Sequence, residues 1–157
     1  MKIEITNLSK NFKEVNILNN VDVTFFPNHI YGLSGKNGSG KTVFLKLLCG
    51  FYYPTTGEIK YNGNILDSRF SYPPNTRALI ENPDFIPDLT GFENLKLLAD
   101  IEKKITDEDI LKAMDIVNIK TEKDKKYGKY SLGMKQKLGL AEVIMENPDI
   151  MIFDEPL

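Results

Sequence analysis

Three glycines and two lysines in eight residues, Gly35-Lys36-Asn37-Gly38-Ser39-Gly40-Lys41-Thr42, leave this part of the chain few ways to fold. An apolar run, Ile30-Tyr31-Gly32-Leu33, leads into the octet, and Phe44, Leu45, Leu47 and Leu48 follow it at helical spacing. The pattern predicts a buried strand near 30–34, a tight loop, and a helix over about 41–49 that stops at Gly50. Chemically the octet fits G-x-x-x-x-G-K-[ST]. Glycines at 35, 38 and 40 let main-chain N–H groups curl around phosphate oxygens without a Cβ in the way. Lys41 would reach the terminal phosphates of a nucleoside triphosphate, the Thr42 hydroxyl would ligate Mg²⁺, and the helix N-terminus would add its dipole. The plainer alternative, a flexible Gly/Ser loop, does not explain the strand and helix patterns on either side.

The 157 residues are one domain's length, with 41% hydrophobic and 27% charged residues, as in soluble globular chains. A net charge of −2 argues against a nucleic-acid partner, which usually demands a basic excess. Cys49 is the sole cysteine, so no internal disulfide forms and a reducing cytosol fits. The start, MKIEITNLSK, lacks the apolar segment of a signal peptide, and no apolar run approaches the roughly 20 residues needed to cross a bilayer. A membrane partner would have to be another chain or segment.

Ile3, Ile5 and Leu8, and then Val21, Val23 and Phe25, read as half-exposed strands. Pro54 to Gly57 is a turn before a strand at Glu58 to Tyr61, which Asn62-Gly63 closes; Arg77 to Ile80 is a further strand ended by Asn82-Pro83. From Thr90 the spacing becomes helical, over 91–101 and 107–118, with Thr106 as N-cap of the second helix. Lys120 to Lys129 reads as a solvated, charge-rich loop, 133–147 as a helix, and Ile150-Met151-Ile152-Phe153 as a short buried strand.

That last run ends in Asp154-Glu155. A strand that releases two acids places them at its carboxyl end, the edge where ligands bind in open α/β sheets. Beside a phosphate loop, the first acid can hold Mg²⁺ and the second can polarise an attacking water. An ordinary strand end entering a polar turn is the alternative. Between the two motifs lies Tyr130-Ser131-Leu132-Gly133-Met134-Lys135-Gln136, where a hydroxyl, a bare backbone and a helix N-terminus make an anion site; read alone, Ser131 is an N-cap.

The order GKNGSGKT, YSLGMKQ, IMIFDEP resembles the ATP-binding subunits of ABC transporters, and is similar to the bacitracin- and lantibiotic-type exporter subgroup. The likeness runs over essentially the whole chain. It implies an α/β P-loop nucleoside triphosphate hydrolase fold, with an N-terminal antiparallel β subdomain and an α-helical signature subdomain, incomplete at the C-terminus. The implied divisions are 1–90 for the β subdomain and phosphate-loop core, 91–135 for the helical subdomain, and 136–157 for the signature helix and the acidic strand. ATP and Mg²⁺ are the implied cofactors. Gly35 through Val43 would contact nucleotide, with Lys36, Asn37 and Ser39 inside the loop; Phe12 would stack on adenine, although a core role for that ring is equally open. Ser131 and Gly133 would bind the γ-phosphate held by a second nucleotide-binding subunit, in a homodimer or heterodimer. Thr42, Glu81 and Asp154 would hold Mg²⁺, and Glu155 and Lys41 would be catalytic.

Glu81 stands where most of the family has Gln, and a surface acid before a turn is its plainer reading. Val43 replaces a frequent hydroxyl residue. The chain ends at Leu157, two residues past Glu155, whereas family members continue into further strands and a histidine that contacts the γ-phosphate. The one histidine, His29, reads as a solvated turn residue. The function implied is ATP-driven transport, by export, through a transmembrane permease subunit, from a peripheral site on the cytoplasmic face of the membrane. A nucleotide-binding module without hydrolysis and a soluble ABC ATPase are the alternatives.

Overall fold

Ile3, Ile5 and Leu8 cannot share one face of a regular strand, because the step from 5 to 8 is odd. Strand β1 (Ile3–Phe12) resolves this with a bulge: Asn7 adopts φ 49°, the register shifts between Ile5 and Leu8, and all three apolar side chains are buried. The computed structural model describes residues 1–67, 71–81 and 84–155. Contacts divide the chain into two units, Met1–Thr76 and Arg77–Leu157.

In the first unit β1 lies between β2 (Val15–Phe25) and β3 (Thr56–Tyr61), both antiparallel to it, and β4 (Asn64–Ile65) adds an edge to β3. Asn62 and Gly63 both have positive φ, the primed turn that matches the twist of a two-residue hairpin. The bulge requires Gly57. A Cβ there would lie 2.3 Å from the Asn7 carbonyl oxygen, and the residue has φ 83°. Helix α1 (Lys41–Leu48) buries Phe44, Leu45, Leu47 and Leu48. It ends as expected at Gly50: the Phe51 N–H returns to the Lys46 carbonyl and the Gly50 N–H to that of Leu47. The Tyr61 hydroxyl donates to the Leu48 carbonyl at 2.6 Å, tying β3 to the helix end. Beside it, burial pushes the Cys49 thiol up to about 12, so this cysteine packs as a small apolar residue and is inert.

The expected buried strand at 30–34 does not form. Among the described residues no ladder includes it, and Ile30, Tyr31 and Leu33 are exposed. A strand needs a neighbour's backbone groups to exist. Here the end of β2 captures the segment instead: the Phe26 N–H donates to the Tyr31 hydroxyl at 2.9 Å, and the Tyr31 ring meets Phe25 edge-on. His29 is exposed in the turn, its Nδ1 2.8 Å from the Pro27 carbonyl oxygen, as its position suggested.

The second unit contains β5 (Thr76–Leu79, whose first residue belongs to the first unit), helices α2 (Gly91–Glu102), α3 (Asp107–Ile116) and α4 (Leu132–Ile144), and β6 (Ile150–Phe153), which pairs with β5. Thr90 and Thr106 each close a capping box, with Glu93 and Asp109. Leu95, Ala99, Ile110, Met114, Leu138 and Ala141 are among the residues that fill the core between the three helices. The charge-rich stretch 120–129 is mostly exposed, as expected, but it is anchored. Its Tyr127 is buried, and the Tyr127 and Gly128 N–H groups donate to the carbonyls of Leu89 and Pro87. Alternating lysines hid one aromatic anchor and a backbone ladder. In β6 only Ile152 is fully buried and Met151 is exposed, because successive side chains of a strand face opposite ways.

Arg77 ties β5 to the ends of two helices, pairing with Glu146 and, at 3.0 Å, with Glu102. Burial pushes the neighbouring Glu142 carboxyl up to about 7, against the pull of Arg77 and with added repulsion from Glu146. A carboxylate whose folded pKa is raised binds more protons when folded, so its contribution is most favourable below about 4.5 and is lost as pH climbs to 7. Glu142→Gln is therefore expected to stabilise the chain by roughly 2 kcal/mol at pH 8 and by about zero at pH 4, after allowing for solvent screening. Urea unfolding at the two pH values measures this, and an equal gain at both would contradict it.

Candidate nucleotide site

The loop from Gly35 to Gly40 is exposed over 35–39 and closes on itself, the Ser39 N–H donating to the Lys36 carbonyl at 3.1 Å. Gly40 is the N-cap of α1, with φ 91°, and no side chain caps the helix's first turn. A Cβ at this position would meet Ile17 Cγ2 at 3.0 Å and Leu18 Cδ2 at 3.1 Å, so β2 presses the loop from beneath and only glycine fits. Lys41 curls back over the loop, its Nζ donating to the carbonyls of Gly35 (3.0 Å) and Lys36 (3.3 Å). Its ammonium thus lies beside the curled backbone and the positive end of the helix. Such an arrangement suits an anion with several charges, and Thr42 follows in the helix's first turn. The residues present fit a nucleoside triphosphate.

Phe12 is not a core residue. Its ring ends β1, is 40% exposed, and meets Tyr52 edge-on with centroids 5.3 Å apart. Ser131 is the N-cap of α4, its Oγ accepting from the Met134 N–H at 3.3 Å. Beside it a Cβ on Gly133 would meet nothing within 4 Å, which leaves the helix N-terminus open to a ligand.

The acidic residues gather at the trailing ends of the two paired strands. The Asp154 N–H donates to the Leu79 carbonyl at 2.9 Å, which aligns the end of β6 with that of β5. Two residues beyond each strand stands a glutamate with left-handed backbone, Glu81 (φ 69°) and Glu155 (φ 48°). A non-glycine residue held there costs of order 1–3 kcal/mol, and such strain clusters at functional sites. No three His, Cys, Asp or Glu side chains converge among the described residues. Mg²⁺ is usually bound by one or two carboxylates together with substrate phosphates, and the side chains of Asp154 and Glu81 are of that chemistry.

The sequence matches the ABC transporter family over residues 18–157.

The chain belongs to the ABC transporter family.

It is 43% identical over 154 residues to an uncharacterised ABC transporter ATP-binding protein, YybJ of Bacillus subtilis, covering 98% of this chain and 71% of that protein. It is 37% identical over 156 residues to the bacitracin transport ATP-binding protein BcrA of Enterococcus faecalis, covering 99% of this chain and 51% of that one. The chain thus spans about half the length of the bacitracin-type relative. Among solved structures, a putative ABC transporter ATP-binding protein of Pyrococcus furiosus superposes with a TM-score of 0.87 at 26% identity, over 99% of this chain and 76% of that one. The P-loop fold and the ATP-binding class expected from the motifs are those of the family.

One residue of this ABC chain was given no role by the motifs. Asn94 is 2% exposed inside α2. Its Oδ1 accepts from the Ile86 N–H at 2.9 Å, and its Nδ2 donates to the carbonyls of Ile86 (3.1 Å), Thr90 (2.9 Å) and Leu89 (3.5 Å). It therefore clamps residues 86–90, which lead into the helix. That segment ladders with 123–128, just before Ser131. The available signal was a polar residue on the apolar face of a helix whose Thr90-x-x-Glu93 box fixes its phase.

Proposed function

We propose that the chain is the ATP-binding part of an ABC exporter, and that it binds Mg-ATP through Gly35 to Val43. The observation that carries this is the Lys41 ammonium folded over the Gly35 and Lys36 carbonyls at an uncapped helix N-terminus. Backbone N–H groups of Lys36, Asn37, Gly38 and Gly40 would take up phosphate oxygens, and Lys41 would offset charge developing on the transferred phosphoryl group. Mg²⁺, held by Thr42, Asp154 and Glu81, would neutralise the β- and γ-oxygens. Glu155 would orient a water and accept its proton. Ser131, Gly133 and the N-terminus of α4 would close on the γ-phosphate of a second nucleotide-binding subunit. No described helix is long and apolar enough to cross a membrane. Work on a transported molecule would pass through a transmembrane permease subunit, with this chain at the inner face of the membrane. The 37% identity to a protein named for bacitracin transport supports transport as the work performed.

Phosphate release in the presence of Mg-ATP tests this reading. Turnover by the chain is expected to fall at least about a hundredfold in Glu155→Gln, with nucleotide affinity within about twofold, as for loss of a group acting in the transition state. Equal turnover in the two proteins would reject the role of Glu155. A second reading is binding without turnover. The exposed, unladdered segment 30–34 that feeds the loop favours it, since a poorly anchored loop positions phosphate less firmly. Nucleotide binding with no phosphate release above background would select it.

A further inference from the structure

The end of β1 carries an aromatic ring whose surroundings the phosphate loop does not explain. Lys10 and Phe12, two residues apart, project from the same side of the strand. The Lys10 Nζ donates to the Tyr53 carbonyl at 2.7 Å and lies 4.8 Å from the centroid of the Phe12 ring. The same ammonium is 5.6 Å from the Tyr52 ring, which itself abuts Phe12 edge-on, and Lys46 Nζ lies 5.8 Å from Tyr52. The backbone beneath is fastened twice, the Asn11 N–H donating to the Thr55 hydroxyl (2.9 Å) and the Thr55 N–H to the Ser9 carbonyl (2.8 Å). A half-exposed phenyl ring is thus held on one edge by Tyr52 and covered on one face by a fixed cation.

We propose that Lys10 is a specificity-determining residue of the nucleotide site, acting through Phe12. Its ammonium blocks one ring face and draws electron density toward it, so the opposite face stacks a purine base more strongly. This rests on the reading that the loop binds a nucleoside triphosphate and that Phe12 takes its base. A cation over an aromatic face is attracted by the ring quadrupole, and the polarised ring becomes a better partner for an electron-rich base on its far side. A lysine serving only to fasten the 52–55 turn would need the Tyr53 carbonyl and nothing more. This one is also placed over both rings.

Calorimetry with Mg-ATP and with Mg-tripolyphosphate, which has no base, separates the possibilities. Lys10→Met is expected to weaken Mg-ATP binding about three- to fivefold, the effect of a partly exposed cation–π contact, and to leave Mg-tripolyphosphate unchanged. Lys10→Arg, which keeps the charge, is expected to restore the wild-type preference for ATP. Equal losses for both ligands in Lys10→Met would assign the residue a general electrostatic or folding role and overturn the proposal. Unchanged ATP affinity in Lys10→Met would overturn it too. Wild-type protein that binds the two ligands equally well would refute the base platform while leaving the phosphate loop intact. Wild-type protein that binds neither would remove the nucleotide reading and this proposal together.

Discussion

Lys41→Ala is expected to weaken Mg-ATP binding by at least about a hundredfold while leaving the fold intact, because hydrogen bonds to a charged group contribute about 1.5–3 kcal/mol each and this ammonium can make more than one. In the structure its Nζ bridges the Gly35 and Lys36 carbonyls of an exposed loop. Removing it leaves those carbonyls to water, so little folding energy is lost. The binding loss has no such replacement, since water cannot offset the clustered charge of a triphosphate as a positioned cation does. Lys41→Arg should recover only part of the affinity: a planar fork on a longer stem cannot occupy the place of a compact ammonium. Calorimetry on folded protein reads the result directly. An affinity within threefold of wild type would show that Lys41 does not hold phosphate.

Asn94→Leu is expected to cost about 3–4 kcal/mol of stability, the largest single effect outside the site, because it strands several buried backbone groups at once. Leucine matches asparagine in branching and offers no donor or acceptor. The Ile86 N–H and the Ile86 and Thr90 carbonyls would each lose their bond to this side chain in a site that is 2% exposed. Asn94→Asp separates the two halves of the clamp. It keeps an acceptor for Ile86 and sets a carboxylate against the carbonyls, and should also destabilise, most at high pH where the acid must ionise. Urea unfolding measures both variants. A cost below about 1 kcal/mol for the leucine variant would mean that water satisfies the segment and that the clamp is dispensable.

The two predictions draw on parts of the chain that differ in how openly the sequence declares them. Gly40 is required by its positive φ and by the pressure of Ile17 and Leu18, and it belongs to a motif whose spacing already demands close backbone approach. Asn94 obeys no motif of chemistry. Its partners, Ile86 to Thr90, are within eight residues, yet nothing in their side chains announces that their carbonyls need a donor. Likewise the left-handed backbone of Glu81 and Glu155 could not be read from residue type, because glutamate has no preference for that region. Asn7 was more legible, since asparagine tolerates positive φ and the parity break between Ile5 and Leu8 calls for a bulge.

The errors have one physical origin. Apolar segment 30–34 had the composition of a strand, but strand formation depends on backbone partners elsewhere, and the described residues supply none; Tyr31 instead joins the end of β2. The charged stretch 120–129 is largely solvated, as its composition suggests, but backbone N–H groups do not depend on side-chain charge, and those of Tyr127 and Gly128 found the carbonyls of Leu89 and Pro87.

By itself, then, the amino-acid order determined what is settled within a few residues: the phosphate loop, the capping boxes at Thr90 and Thr106, the end of α1 at Gly50, and the family to which they belong. Local hydrogen bonds and short-range sterics govern all of these. Only the tertiary structure decided which apolar run became a strand, which lysine came to lie over an aromatic ring, and which polar side chain was buried to hold the turn before α2. Those outcomes depend on groups brought together from separate parts of the chain, and their energies exist only once the chain has closed.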